Sequence, residues 1–176
     1  MDVRGWSATL LGLTLGMVAW VEARGQAPTS AKVETIPLLV EKMKEGYDLV
    51  IGSRYMPGAR SFDDTPITRL GNWGFTRMIN VLFGARYQDA MMGYRAYRKS
   101  KFLAMQMDED GLTFPTQGSI QFARYGHKVT EIPSDEPKRI GGVRKAKNIG
   151  TGIELVQMIA KEAYRAYVAP RLDGKR

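Results

Sequence analysis

DLVIGSRYMPGARSFDD, residues 48–64, is the stretch on which the fold of this chain turns. Leu49, Val50 and Ile51 run without a polar break, as a strand does when both faces of its sheet are covered. The run stops at Gly52, Ser53, Arg54 and Tyr55 and passes into a polar loop carrying Pro57 and Gly58. In an open α/β sheet, ligands bind beyond the carboxyl ends of the strands. Gly52 would let the backbone turn closely there, and Ser53 and Arg54 would land where a ligand sits. A guanidinium suits bidentate phosphate contacts. The alternative is a solvated arginine at a strand end.

Outward from this strand the chain alternates. Before it, ETIPLLVEKMKEG reads as a helix, with Thr35 as cap, Pro37 in the first turn, Leu38, Leu39 and Met43 on an apolar face, and Gly46 at the end. After the loop, residues 67–84 read as a second helix whose apolar positions are Leu70, Trp73, Met78, Val81 and Leu82. A short strand near 94–97, a helix from Ser100, a helix over 116–125 closed by Gly126, and a strand over 128–133 follow. Residues 152–168 form an amphipathic helix with Ile153, Leu155, Val156, Ile159, Ala163 and Val168 on or near one face; packing on the sheet and contact with a membrane surface are both open to it. Helices alternating with strands predict an α/β fold, with a mainly parallel sheet and flanking helices.

Composition narrows the chemistry. The 176 residues hold no cysteine, which excludes disulfides, thiolate catalysis and cysteine-ligated metal, and one histidine, His127, which excludes a histidine-rich metal site. The net charge of +8 predicts an anionic partner: nucleic acid, a phosphorylated substrate or an acidic membrane surface. Residues 5–21, GWSATLLGLTLGMVAWV, are apolar apart from hydroxyls. They fit a signal peptide or a buried core element. Composition shifts over 24–30. The expected division is therefore an apolar leader or divergent segment over 1–30, an α/β domain over 31–150, and an amphipathic helix with a basic tail over 151–176.

Three further stretches join the first: QDAMMGYRAYRKS with Asp89, Gly93 and Arg95; YGHKVTEIP with Gly126, Glu131 and Pro133; and KRIGGVRKAK with Arg139, Gly142 and Lys145. In order and spacing with Gly52, Ser53, Arg54 and Tyr55, they resemble the carboxyl half of the family 2 glycosyltransferases, above all the dolichol- and polyprenyl-phosphate sugar synthases. The resemblance covers about residues 34–148. It implies part of the nucleotide-diphospho-sugar transferase (GT-A) fold and transfer of a sugar from a nucleotide-diphosphate donor to a polyprenyl phosphate or another acceptor. By the same resemblance, Ser53 and Arg54 meet the acceptor phosphate, Asp89 lies beside the reacting sugar, and Arg139 and Lys145 contact the donor diphosphate. Gly52, Tyr55, Gly93, Arg95 and Gly142 support them. The implied setting is cytoplasmic, at the inner face of a membrane.

The departures carry expectations too. Family members use Mg or Mn held by an Asp-x-Asp pair that should lie shortly before residue 34, yet no aspartate occurs between Val3 and Tyr47. No metal ligand and no cofactor is therefore assigned, and the amino-terminal nucleotide-binding half is expected to be missing. Met92 and Arg144 stand where the family has serines, and Gln117 where many relatives carry a glutamate. The expectation is a truncated transferase-like chain, inactive alone. The competing class is a basic membrane-surface or nucleic-acid-binding module without catalysis; nucleic acid is the weaker partner, because no aromatic stacking motif accompanies the basic run.

Overall fold

The computed structural model describes residues 35–137 and 148–169. Its elements are α1 (Ile36–Lys44), β1 (Leu49–Ser53), α2 (Pro66–Phe83), β2 (Arg95–Tyr97), α3 (Lys99–Leu103), α4 (Phe114–Arg124), β3 (Val129–Pro133) and α5 (Asn148–Tyr167). The strands form one three-stranded sheet in the order β2-β1-β3. The apolar leader, the basic run with Arg139, Gly142 and Lys145, and the basic tail after residue 169 lie outside the described residues.

The chain is α/β, but its sheet is mixed. β1 pairs parallel with β3, Leu49 opposite Val129 and Ser53 opposite Pro133, and antiparallel with β2, Leu49 opposite Tyr97 and Ile51 opposite Arg95. Every residue of β1 is buried, as its unbroken apolar run requires. Period-2 alternation sends its side chains to two cores. Leu49 and Ile51 join Ile79, Phe83, Tyr87, Ile120, Phe122, Leu155, Met158 and Ile159 on one side. Val50 joins Leu39, Ala96 and Ile132 under α1 on the other.

Local chemistry sets the helices, with corrections to the sequence reading. Thr35 stands at the cap of α1, but its hydroxyl donates to Tyr94 Oη at 2.9 Å rather than capping the helix. The α2 cap is Thr65, whose hydroxyl accepts from the Thr68 amide; Gly84 closes the helix in the left-handed region, at φ 65°. Of the expected Leu70, Trp73, Met78, Val81 and Leu82, only Leu82 packs against the core; the buried residues of α2 are Asn72, Thr76, Ile79 and Phe83. Leu70, Trp73 and Val81 are 68%, 63% and 75% exposed. Two polar bonds fix this rotation: Asn72 donates to Tyr55 Oη at 2.7 Å, and Thr76 accepts from the Ala90 amide at 3.3 Å. In α5, Leu155, Met158 and Ile159 turn inward while Ile153 and Val156 stay exposed; the helix packs on α2 and α4, and its inner residues join the core that holds Leu49 and Ile51 of the sheet.

Gly52 is corrected as well. It lies inside β1, and the close approach it permits is to its own fold. A β-carbon there would fall 2.7 Å from Tyr94 Cδ1 and 2.9 Å from Ser134 Cβ.

Candidate functional site

The carboxyl ends of β1 and β3 lie side by side because the two strands are parallel, and Arg54 leaves β1 at that point. Its guanidinium is buried and grips Asp89: Nε donates to Oδ2 at 2.7 Å and Nη2 to Oδ1 at 2.9 Å. The Arg54 amide donates to the same carboxylate at 3.2 Å. Nη1 donates to Glu136 Oε2 at 3.2 Å and lies 3.9 Å from Asp64 Oδ1. Burial opposes the charge on Arg54, but the bonds from Asp89 outweigh it and hold the guanidinium firmly protonated.

Asp89 is fixed from a second side. Glu131 in β3 accepts from the amides of Gln88 and Asp89 at 2.7 and 2.8 Å, which pins the backbone that carries the carboxylate. Burial pushes the Glu131 carboxyl upward against those two amide bonds. The loop after β1 folds back over the same end. Tyr55 Oη donates to Asp64 at 2.5 Å, Ser61 Oγ donates to Glu136 at 2.7 Å, and the backbones of Arg60, Phe62 and Glu136 exchange hydrogen bonds. Arg54 and Arg69 lie over the Tyr55 ring, 5.1 and 5.8 Å from its centre.

Of the residues expected to converge, Arg54 and Asp89 meet, with Ser53 and Tyr55 beside Arg54 in the chain. Ser53 is buried at the strand end, and its carbonyl accepts from the Ser134 amide. Arg95 lies beneath them and works within the fold. Its guanidinium donates to Pro115 O at 2.6 Å, to Ser119 Oγ at 3.0 Å and to Met92 O, tying the segment after Asp89 to the start of α4. Burial pulls its pKa down to about 10. Gly93 leads into Tyr94, whose carbonyl accepts from the Gly52 amide. Arg139, Gly142 and Lys145 lie outside the described residues.

The sequence reading missed the acids that close the site. It looked beyond the strand ends for cations, but Glu136 stands beyond β3 as Arg54 stands beyond β1, and a parallel pairing puts such positions together. Asp64 lay in the quoted loop itself. These carboxylates do not form a metal cradle: Asp89 and Glu136 face Arg54, Glu131 holds amides, and among the described residues no group of three acids or histidines is placed to hold an ion. The arrangement holds one rigid carboxylate, Asp89, buried and oriented by a guanidinium and a fixed backbone. Gln117 is occupied elsewhere. Its amide nitrogen donates to Asp108 at 2.7 Å and to the wholly buried Glu162 at 2.9 Å. A glutamate there would set two carboxylates against each other.

The outer side of this site is apolar. Asn72, bonded to Tyr55, belongs to α2, and the opposite face of α2 presents Ile67, Leu70, Trp73 and Val81 to solvent, with Arg69 and Arg77 exposed among them. A shallow apolar groove continues the surface to α5, lined by Phe75, Ile149, Ile153 and Val156. Among the described residues no helix is long and apolar enough to cross a membrane.

No family model matches the chain. It is 30% identical over 125 residues to an undecaprenyl-phosphate mannosyltransferase of Micrococcus luteus, covering 69% of this chain and 50% of that protein. It is 30% identical over 146 residues to a polyprenol monophosphomannose synthase of Mycolicibacterium smegmatis, covering 76% and 51%. To a dolichyl-phosphate hexose transferase of Haloferax volcanii it is 28% identical over 137 residues, covering 76% and 58%. The chain thus spans about half the length of these curated relatives.

Proposed function

We propose that this chain, a relative of the polyprenyl-phosphate sugar transferases, forms the acceptor side of a glycosyl-transfer site at a membrane surface. The observation that carries the reading is the position of the outward apolar stripe of α2, whose inward face bonds through Asn72 to Tyr55, next to Arg54 and Asp89. A surface of Trp73, Leu70, Ile67 and Val81 with arginines interspersed is the composition that enters the headgroup region of an anionic bilayer. Seated there, the loop after β1 lies where a lipid phosphate emerges.

Within that site Asp89 sits beside the reacting sugar, orienting it or taking the acceptor's proton, which a carboxylate does only within hydrogen-bond reach. Arg54 holds Asp89 in place. An incoming acceptor phosphate competes with Glu136 for the Nη1 edge of Arg54, the contact that a second anion can replace while the bidentate grip on Asp89 remains. Ser53, at the end of β1 and next to Arg54 in the chain, offers its hydroxyl to the same phosphate. The basic run with Arg139 and Lys145 meets the diphosphate of a nucleotide-sugar donor and offsets the charge of the leaving group. No metal is assigned to this chain: the Asp-x-Asp pair by which the family holds Mg or Mn at the donor does not occur between Val3 and Tyr47. The expected location is the inner face of a cytoplasmic membrane.

Vesicle cosedimentation tests the reading. The chain should bind vesicles of phosphatidylglycerol with undecaprenyl phosphate, and Leu70→Asp with Trp73→Ser should lower binding at least tenfold with the circular dichroism spectrum unchanged. Failure to bind, or binding indifferent to the double substitution, overturns it.

A further inference from the structure

Beyond the strand ends the chain makes a second, smaller pairing. Ser61 and Glu136 form a parallel bridge: the Phe62 amide donates to Glu136 O at 2.9 Å, and the Glu136 amide donates to Arg60 O at 2.8 Å. The Arg60 amide donates to Asp135 Oδ1 at 2.9 Å. The loop after β1 is thereby stitched to the chain that leaves β3, beside Arg54. The stitch carries a carboxylate inward. Glu136 Oε2 accepts from Arg54 Nη1 at 3.2 Å and from Ser61 Oγ at 2.7 Å. A guanidinium edge and a hydroxyl converging on one oxygen are donors that a phosphate oxygen also takes.

Three carboxylates stand around this one guanidinium. Asp89 holds Nε and Nη2, Glu136 holds Nη1, and Asp64 lies 3.9 Å from Nη1. The side chains of Asp89 and Asp64 are 0% and 4% exposed, and that of Glu136 is 19% exposed. Among the described residues Glu136 is therefore the outermost of the three. A further anion placed beside all of them meets net negative charge. An anion that takes the place of Glu136 gains its two donors and one repulsion fewer.

We propose, on the acceptor-side reading of this site, that Glu136 is an internal substitute for the acceptor phosphate: a latch that keeps the anion position on Arg54 and Ser61 closed until a phosphate displaces it. Because it is tethered, Glu136 competes at an effective concentration on the order of millimolar or higher. Dissolved phosphates below that concentration leave the latch shut. A phosphate headgroup crowded at the surface of a bilayer on which the protein sits opens it. The site thus prefers membrane-borne phosphate without needing any contact with the lipid chain.

Glu136→Gln in the full chain tests the latch, since it keeps the shape and an oxygen for Ser61 and removes the charge. By calorimetry, its affinity for inorganic phosphate, and for farnesyl phosphate below its micelle concentration, should exceed that of the wild type by about tenfold or more. Glu41→Gln, which removes an exposed carboxylate from α1, should leave both affinities unchanged and so separates the latch from net charge. For vesicles of phosphatidylglycerol with undecaprenyl phosphate, the gain from Glu136→Gln should be smaller than for the dissolved phosphates. In the wild type, the Glu136 carboxyl carbon resonance should move as inorganic phosphate is raised well above millimolar, a result that needs no variant to fold. Equal or weaker binding of dissolved phosphate by Glu136→Gln, an equal gain in Glu41→Gln, an equal gain on vesicles, or a Glu136 resonance indifferent to phosphate overturns the proposal. The dissolved-phosphate results do not involve the α2 stripe, so loss of the membrane reading and loss of the latch are told apart.

Discussion

Arg54 and Asp89 are 35 positions apart in sequence and joined by two side-chain hydrogen bonds in the fold. The Asp89 side chain is fully buried and that of Arg54 nearly so, which places the pair where removal of one partner costs far more than the pair itself contributes. Asp89→Asn should therefore destabilise the chain by about 3 kcal/mol, read as a lower denaturant midpoint at unchanged slope. Replacing both residues by leucine should cost less than Asp89→Asn alone, because no stranded guanidinium remains. At Gly52 the argument is steric. A methyl group 2.7 Å from the Tyr94 ring and 2.9 Å from Ser134 Cβ must displace the half-buried Tyr94 ring and the segment just beyond β3. Gly52→Ala should cost about 1–3 kcal/mol by denaturant titration, whereas a glycine that served only to bend a turn at positive φ would show its cost without any contact to relieve. Trimming Tyr94 to leucine should restore part of the loss.

Among the elements, α5 depends most on charge. Wholly buried Glu162 receives Arg124 at 2.6 Å and Arg165 at 3.0 Å, and Arg165 also bonds Asp108 at 2.6 Å. The Arg165 guanidinium, against the opposing effect of burial and with help from Gln117 and Lys161, holds the Asp108 carboxyl well below the usual carboxylate range. A depressed carboxylate stabilises the fold above its unfolded pKa, near 3.8, and that contribution is lost as pH falls through the lower folded value. Stability should thus be level from neutral pH down to about pH 4 and decline below it. Asp108→Asn should flatten that decline by no more than about 1 kcal/mol, since the side chain is 45% exposed and solvent screens the pair. Thermal melts from pH 2 to 7 test both. Helix α2 shows the opposite balance: its polar residues Asn72 and Thr76 point inward to fixed partners, so its larger apolar residues are left outside.

At the scale of the molecule, the stripe of Ile67, Leu70, Trp73 and Val81 is the apolar face that the described residues offer to a bilayer, and Leu70→Asp with Trp73→Ser should weaken vesicle binding while leaving the denaturant midpoint unchanged, because both side chains are exposed. The buried character of β1, the alternation of helices and strands, and the shared location of Arg54 and Asp89 were legible in the sequence. The first two are local: an unbroken apolar run needs cover on both faces, and helices and strands differ in hydrophobic period. The third came from family motifs in order. The direction of β2, the rotation of α2, the packing reason for Gly52 and the closure of Arg54 by Glu136 and Asp64 were not legible. Each is settled by contacts between residues far apart in the chain. Periodicity marked Leu70, Trp73, Met78 and Val81 as the inner face, because it weighs hydrophobicity alone; hydrogen bonds with Tyr55 and Ala90 decided otherwise. Sequence by itself determined the buried run of β1, the alternation of helices and strands, and Arg54 and Asp89 as partners in one site. Tertiary structure alone decided which face of each segment is buried and which charges meet, because those depend on pairings that no local pattern encodes.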